Sequence, residues 1–94
     1  MAEQRRDELR REEEERLERQ QEERELFLSE KAHQFEEAAR LAVFVSQLRR
    51  NARHTQLPKL SGFLSWAEDH VASLRAGLTA QAIDKELLGS ELFA

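Results

Sequence analysis

No glycine and no proline occurs before Pro58, so no chain breaker interrupts a helix over the first half of the chain. Proline would remove a backbone donor and clash with the preceding turn, and glycine costs about 1 kcal/mol in a helix interior. Residues 1–25 are nearly all Glu, Arg and Gln, which have good intrinsic helix propensity. Their charges sit at helix-neighbour spacing. Glu12 and Arg16, and Glu15 and Arg19, are i,i+4 pairs, while Asp7 and Arg10, and Glu8 and Arg11, are i,i+3 pairs. Each such pair contributes about 0.2–0.5 kcal/mol. The pattern predicts one helix from about residue 5 to about residue 53, fraying at Met1. Leu9 and Leu17 are the only large apolar side chains of residues 2–25. Eight residues apart, they fit no a/d heptad, so this part is expected to be a solvated arm rather than a tight coiled-coil seam.

The pattern changes after residue 25. Leu28, Ala32, Phe35, Ala39 and Ala42 follow 4-3-4-3 spacing. Phe27, Ala38, Leu41, Val45, Leu48 and Ala52 form a second apolar stripe, broken by Gln34. At about 100° per residue the two stripes lie roughly 120° apart. A helix apolar over so much of its circumference must touch two neighbours.

The first break comes at His54-Thr55-Gln56-Leu57-Pro58. Leu57 is biased toward extended geometry by the proline after it, and Pro58 suits the first position of the next helix. That helix reads from about 59 to 76, with Leu60, Phe63, Leu64, Ala67, Val71, Leu74 and Leu78 on one continuous face and Trp66 on its flank. Gly77 stands where a left-handed C′ residue would close it. Thr79 reads as the N-cap of a short helix over about 80–88, closed by Gly89. Ile83, Leu87 and Leu88 give that helix an apolar face, which Leu92 and Phe93 extend.

A short turn at Pro58 folds the second helix back antiparallel on the first. Its length reaches back to about Glu37, which assigns the stripe from Ala38 to Ala52 to the hairpin interior. The stripe from Leu28 to Ala42 begins beyond that reach and needs either the last short helix or a second chain. The expected fold class is therefore all-α. A long charged helix leads into an antiparallel helical hairpin with a short C-terminal helix, assembled as a coiled-coil-like dimer or helical bundle. Two units follow: a solvated arm over 1–25 and a hairpin and oligomerisation module over 26–94, with helices at about 26–53, 59–76 and 80–88. The expected interface comprises Leu28, Ala32, Phe35, Ala39 and Ala42 with the tail residues Leu87, Leu88, Leu92 and Phe93. The first partner is a second copy of the chain, in a C2 dimer with a four-helix core, or another protein.

Composition narrows the function. Cysteine is absent, so neither a disulfide nor a thiolate metal site is available. His33, His54 and His70 have no metal-ligand spacing. Glu36-Glu37 and Glu68-Asp69 are adjacent acids that point about 100° apart on a helix, a poor acid/base pair. Six serines have no nucleophile context, and there is no glycine-rich phosphate loop. No enzyme activity, cofactor, metal or small-molecule substrate is expected. No apolar run approaches the roughly 20 residues of a membrane span, and the start resembles no signal peptide, so a cytoplasmic location is expected. The net charge of −4 disfavours bulk electrostatic binding of nucleic acid. One cluster runs against that charge: Arg49, Arg50 and Arg53 crowd the end of the long helix beside His54. Compensation of the helix dipole accounts for it, and phosphate contact is the alternative. If the cluster binds nucleic acid, Arg40 and Arg75 should join it in space.

The chain carries Phe35-Glu36-Glu37-Ala38-Ala39-Arg40 after its charge-rich helix, then Phe63-Leu64-Ser65-Trp66-Ala67-Glu68-Asp69-His70-Val71. In this it resembles the C-terminal tails of some uncharacterised bacterial proteins. Those tails join a long charged helix to an aromatic-x-x-A-x-x-[LI]-R helix and a W-[LAS]-x-W-A helix. Trp66 supplies one tryptophan of that motif, and Phe63 stands in place of the other. The resemblance covers about residues 10–75. It implies an intracellular bacterial accessory tail with no active site, whose partner domain lies upstream of Met1.

Overall fold

A computed structural model describes residues 2–93, with side chains from Arg5 onward. The expected fraying at Met1 lies outside the described residues. The described residues form three helices: α1 (Ala2–Asn51), α2 (Pro58–Ala76) and α3 (Ala80–Leu88). No strand occurs among the described residues. The protein is all-α, as its sequence predicts. It is also a rod, 81 × 19 × 18 Å, because α1 alone is 50 residues long and rises about 1.5 Å per residue.

The turn at 52–57 is tied by Ala52 N–H to Leu48 O at 3.1 Å and by Thr55, whose N–H and hydroxyl both donate to Ala52 O at 3.1 and 2.9 Å. Leu57 takes φ −123° and ψ 89°, the extended geometry that a following proline imposes, and Pro58 opens α2. α2 then runs antiparallel along α1. Val45, Leu64 and Ala67 form the core there, flanked by half-buried Leu48, Ala52 and Leu60. Ala38 and Val71 are buried further along. The antiparallel hairpin and the assignment of Ala38–Ala52 to its interior agree with the sequence pattern.

Gly77 and Gly89 close α2 and α3, but neither is left-handed. Gly77 has φ −74° and ψ −9°, Gly89 φ −80° and ψ −4°, and none of the described residues has positive φ. A left-handed cap turns the chain sharply away from the helix. Here no such reversal is needed, because α3 continues in the same sense along α1. Thr79 makes the connection. Its hydroxyl donates to Ala76 O at 3.3 Å and accepts from Ala82 N–H at 3.2 Å, joining the end of one helix to the start of the next.

α3 and the tail lie against the arm side of α1. Lys31 Nζ meets Glu86 Oε2 at 2.6 Å, Gln20 Nε2 and Arg24 Nε both donate to Leu92 O at 3.3 and 2.8 Å, and the Arg24 guanidinium sits 4.3 Å from the Phe93 ring centroid. The seam of α1 is thus longer than its apolar residues. Gln20, Arg24, Phe27, Lys31, Ala38, Leu41, Val45, Leu48 and Ala52 are all at least half-buried, while Gln34 is exposed. These positions keep 4-3 spacing throughout, with Gln34 falling opposite the joint between α2 and α3. The helix is continuous through residues 25 and 26. Tail contacts reach back to Gln20, so the stretch of α1 that is wholly solvent-exposed runs from Arg5 to Arg19.

Among the described residues the four charge pairs expected on the arm do not form. Arg16 reaches Glu13 at 4.0 Å rather than Glu12, and Arg19 donates to the Glu15 backbone carbonyl at 3.4 Å. Exposed pairs gain little over hydration, so their partners are readily exchanged.

Candidate interaction surface

With the three helices docked, the stripe stays on the surface from Leu28 to Phe35 and is partly covered at Ala39 and Ala42. Leu28 is 71% exposed and Phe35 65%; Ala32 is exposed and Ala39 and Ala42 are half-buried. The tail helix does not cover it, because α3 packs on the Phe27–Lys31 side of α1. Bare side chains of this size in one row are unusual on a single soluble chain.

The four tail residues expected at the same interface divide. Leu87 and Leu92 are half-buried within their own chain, while Leu88, at 80% exposed, and Phe93 face outward. Phe93 is also held under Arg24. The tail is therefore committed in part to the fold of its own chain, which the apolar pattern did not show.

The stripe runs into a groove. Its heptad spacing continues beyond Ala42 through Ser46, Arg49 and Arg53, and all four line an open furrow between α1 and α2 of about 1040 Å³. Val45, Leu64 and Val71 form its floor, and the small side chains Ala42, Ser46, Ser61 and Ala72 keep its walls low. This feature needs both helices and was not apparent from either alone. The signal was there in part: Ala42 and Ser46 on α1 are small residues one turn apart.

Arginines line the groove. Arg49, Arg50, Arg53 and Arg75 all contribute, whereas Arg40 does not. Arg49 forms an ion pair with Glu68 through both Nε and Nη2, with both side chains about half exposed. Arg50 and Arg53 make no ion pair within 4.0 Å among the described residues. The Arg49–Arg53 cluster is thus joined by one of the two arginines that a phosphate site would recruit, and it holds a carboxylate.

The opposite face of the hairpin carries Phe63, Trp66 and His70. Trp66 and His70 stack with centroids 5.1 Å apart, and Phe63 lies 6.3 Å from Trp66. His33 and His54 are exposed, as are the acid pairs Glu36-Glu37 and Glu68-Asp69. Among the described residues no three His, Asp or Glu side chains converge to hold a metal, and no helix is long and apolar enough to cross a membrane. No family model matches this chain, and neither a curated protein nor a solved structure matches it.

Proposed function

We propose that this chain is a self-association module that acts by holding protein chains together. The observation that carries the reading is that Leu28 and Phe35 are each more than half exposed although the three described helices have docked. A second copy would cover it. The small residues Ala32, Ala39 and Ala42 between and beside the two large ones would let a neighbouring helix approach closely. The resemblance to bacterial accessory tails supports the same reading, since such a module would bring together copies of an intracellular protein to which it is attached. No catalytic role, cofactor or small-molecule substrate enters this reading.

Phe35→Asp tests it. Burying a large apolar side chain contributes about 1.5–3 kcal/mol. Two copies lost per dimer, at 1.4 kcal/mol per tenfold, predict association weakened by about a hundredfold to ten-thousandfold. Light scattering should show the mass of two chains falling to that of one. Because Phe35 is already exposed in the single chain, its helicity should survive. A wild-type chain that stays at the mass of one copy at every concentration defeats the reading, and so does a dimer indifferent to Phe35→Asp.

A second reading has one observation in its favour: Arg49, Arg50, Arg53 and Arg75 share one groove. It would make the chain a nucleic-acid accessory that contacts phosphate. Glu68 inside the same groove and the net charge of −4 weigh against it.

A further inference from the structure

The groove and the arm fit each other. We infer that the second copy binds antiparallel, with its arm lying in the groove of the first and a two-fold axis passing through Phe35. This rests on the self-association reading and adds the arrangement to it.

Leu17 and Phe35 are 18 residues apart in α1, five full turns, so they share a face, and Arg53 follows in the turn just past the end of α1. Leu28 and Ala42 lie seven residues either side of Phe35 on that face. A two-fold axis at Phe35 therefore sets Leu28 against the partner's Ala42 and Leu17 at the level of the partner's Arg53. Large meets small at the first pair. At the second, Leu17, 51% exposed, arrives beside Leu57, 52% exposed, at the end of the groove. Two uncovered leucines cover each other there.

On the α1 side the groove runs from Ala42 to Arg50 and continues into the turn at Ala52 and Arg53. The two-fold sets the partner's Leu17 to Leu28 at that level. The wholly exposed stretch of α1, which ends at Arg19, enters the groove with its last turn, and the partner's tail covers the next.

Charge selects the direction. Residues 12–25 hold eight acids against three arginines, whereas residues 49–59 hold four cations and no acid. An antiparallel pair sets Glu13, Glu14 and Glu18 near the partner's Arg50 and Arg53. A parallel pair would place arm beside arm and tip beside tip, like charge against like at both ends. Such juxtaposition is what sets partner orientation at helical interfaces.

The arrangement is also closed. In α1 the seam and the stripe occupy adjacent faces, so the partner's α1 meets α1 from the side next to α2. The two-fold then places the partner's α3 beneath α2. Where the two copies overlap, the assembly holds two helices from each, with the first turns of each arm projecting beyond, and a C2 contact of this kind satisfies both copies at once and stops growing.

Cysteine cross-linking tests it, helped by the absence of native cysteine. Two variants are made, Leu28→Cys and Ala42→Cys, and joined with a short thiol-specific reagent while the mass is followed by light scattering. In the antiparallel dimer the two copies of residue 28 stand 14 residues apart along the axis, about 21 Å. Leu28→Cys alone should then give no linked dimer, and the mixture of the two variants should give the mixed one in high yield. Leu17→Cys mixed with Arg53→Cys should also link. A chain that has the mass of two copies but links Leu28→Cys to itself overturns the arrangement and leaves self-association standing. A chain with the mass of one copy overturns both.

Discussion

Leu64→Ala should be the most damaging single truncation in the hairpin, and the structure sets its size. Leu64 is 2% exposed and is the largest side chain buried so completely. Removing three carbons costs about 0.8 kcal/mol each in lost transfer free energy, roughly 2.4 kcal/mol. A sealed cavity would add to that. Leu64 also lines the groove, so the void would open to solvent and fill with water, and the loss should stay near the transfer value. For a domain of this size 1 kcal/mol moves the melting temperature by about 4–8 °C, so the expected fall is about 10–20 °C. The melt should be followed by fluorescence of Trp66, which reports on α2 alone, because the solvated arm would smear a helicity signal. It should be done dilute, where one copy predominates. Leu28→Ala is the control: at 71% exposed it should move the melt by only a few degrees. If the two variants fall equally, Leu28 is inside the single-chain core. If Leu64→Ala shifts by less than about 5 °C, the seam does not hold the hairpin, and the reasoning from burial fails.

Thr79→Ala removes the side chain that caps α3 and ties it to α2. It should cost about 1 kcal/mol, felt as faster hydrogen exchange over 80–93 with little change over 58–76; uniform acceleration through α2 would show that the tail does not dock as a separate piece. Replacing Arg49, Arg50 and Arg53 together by Gln should weaken the dimer several-fold at low salt and scarcely at high salt, since exposed pairs are screened. In the same experiment the wild-type chain titrated with duplex nucleic acid should show no saturable binding; salt-steep binding that the triple variant abolishes would favour the phosphate reading instead.

The helices were legible because their ends are marked by residues with one strong local preference. Pro58, Thr79 and the two capping glycines set the boundaries of α2 and α3 to within a residue. The seam from Ala38 to Ala52 was legible for a different reason, a sustained apolar period in register with an antiparallel neighbour of known length. Its continuation was not. Gln20, Arg24 and Lys31 occupy seam positions with polar side chains, which bury their aliphatic stems while the heads reach a carbonyl, an aromatic ring and a carboxylate. An apolar pattern is blind to that. It therefore left open whether α3 would cover the Leu28 stripe or the neighbouring face. The groove was equally hidden, since its shape comes from what two helices lack at their junction. The exposed ion pairs of the arm could not be assigned because i,i+3 and i,i+4 partners differ by less than the thermal energy.

An unbroken helix of 50 residues turns chain length into angle. Every position along α1 owes its face to the count of residues before it. One residue inserted between Gln20 and Ala52 would rotate everything beyond it by about 100°, carrying Phe35 or Val45 to the wrong side without altering any local propensity. Seven, 11 or 18 residues would nearly restore the phase and simply lengthen the rod. Changes in length within this segment are therefore permitted in quanta, whereas the turn at 52–57 can absorb a residue by looping out. Kinship among such rods would be easier to recognise by the phase of their faces than by residues aligned one against another.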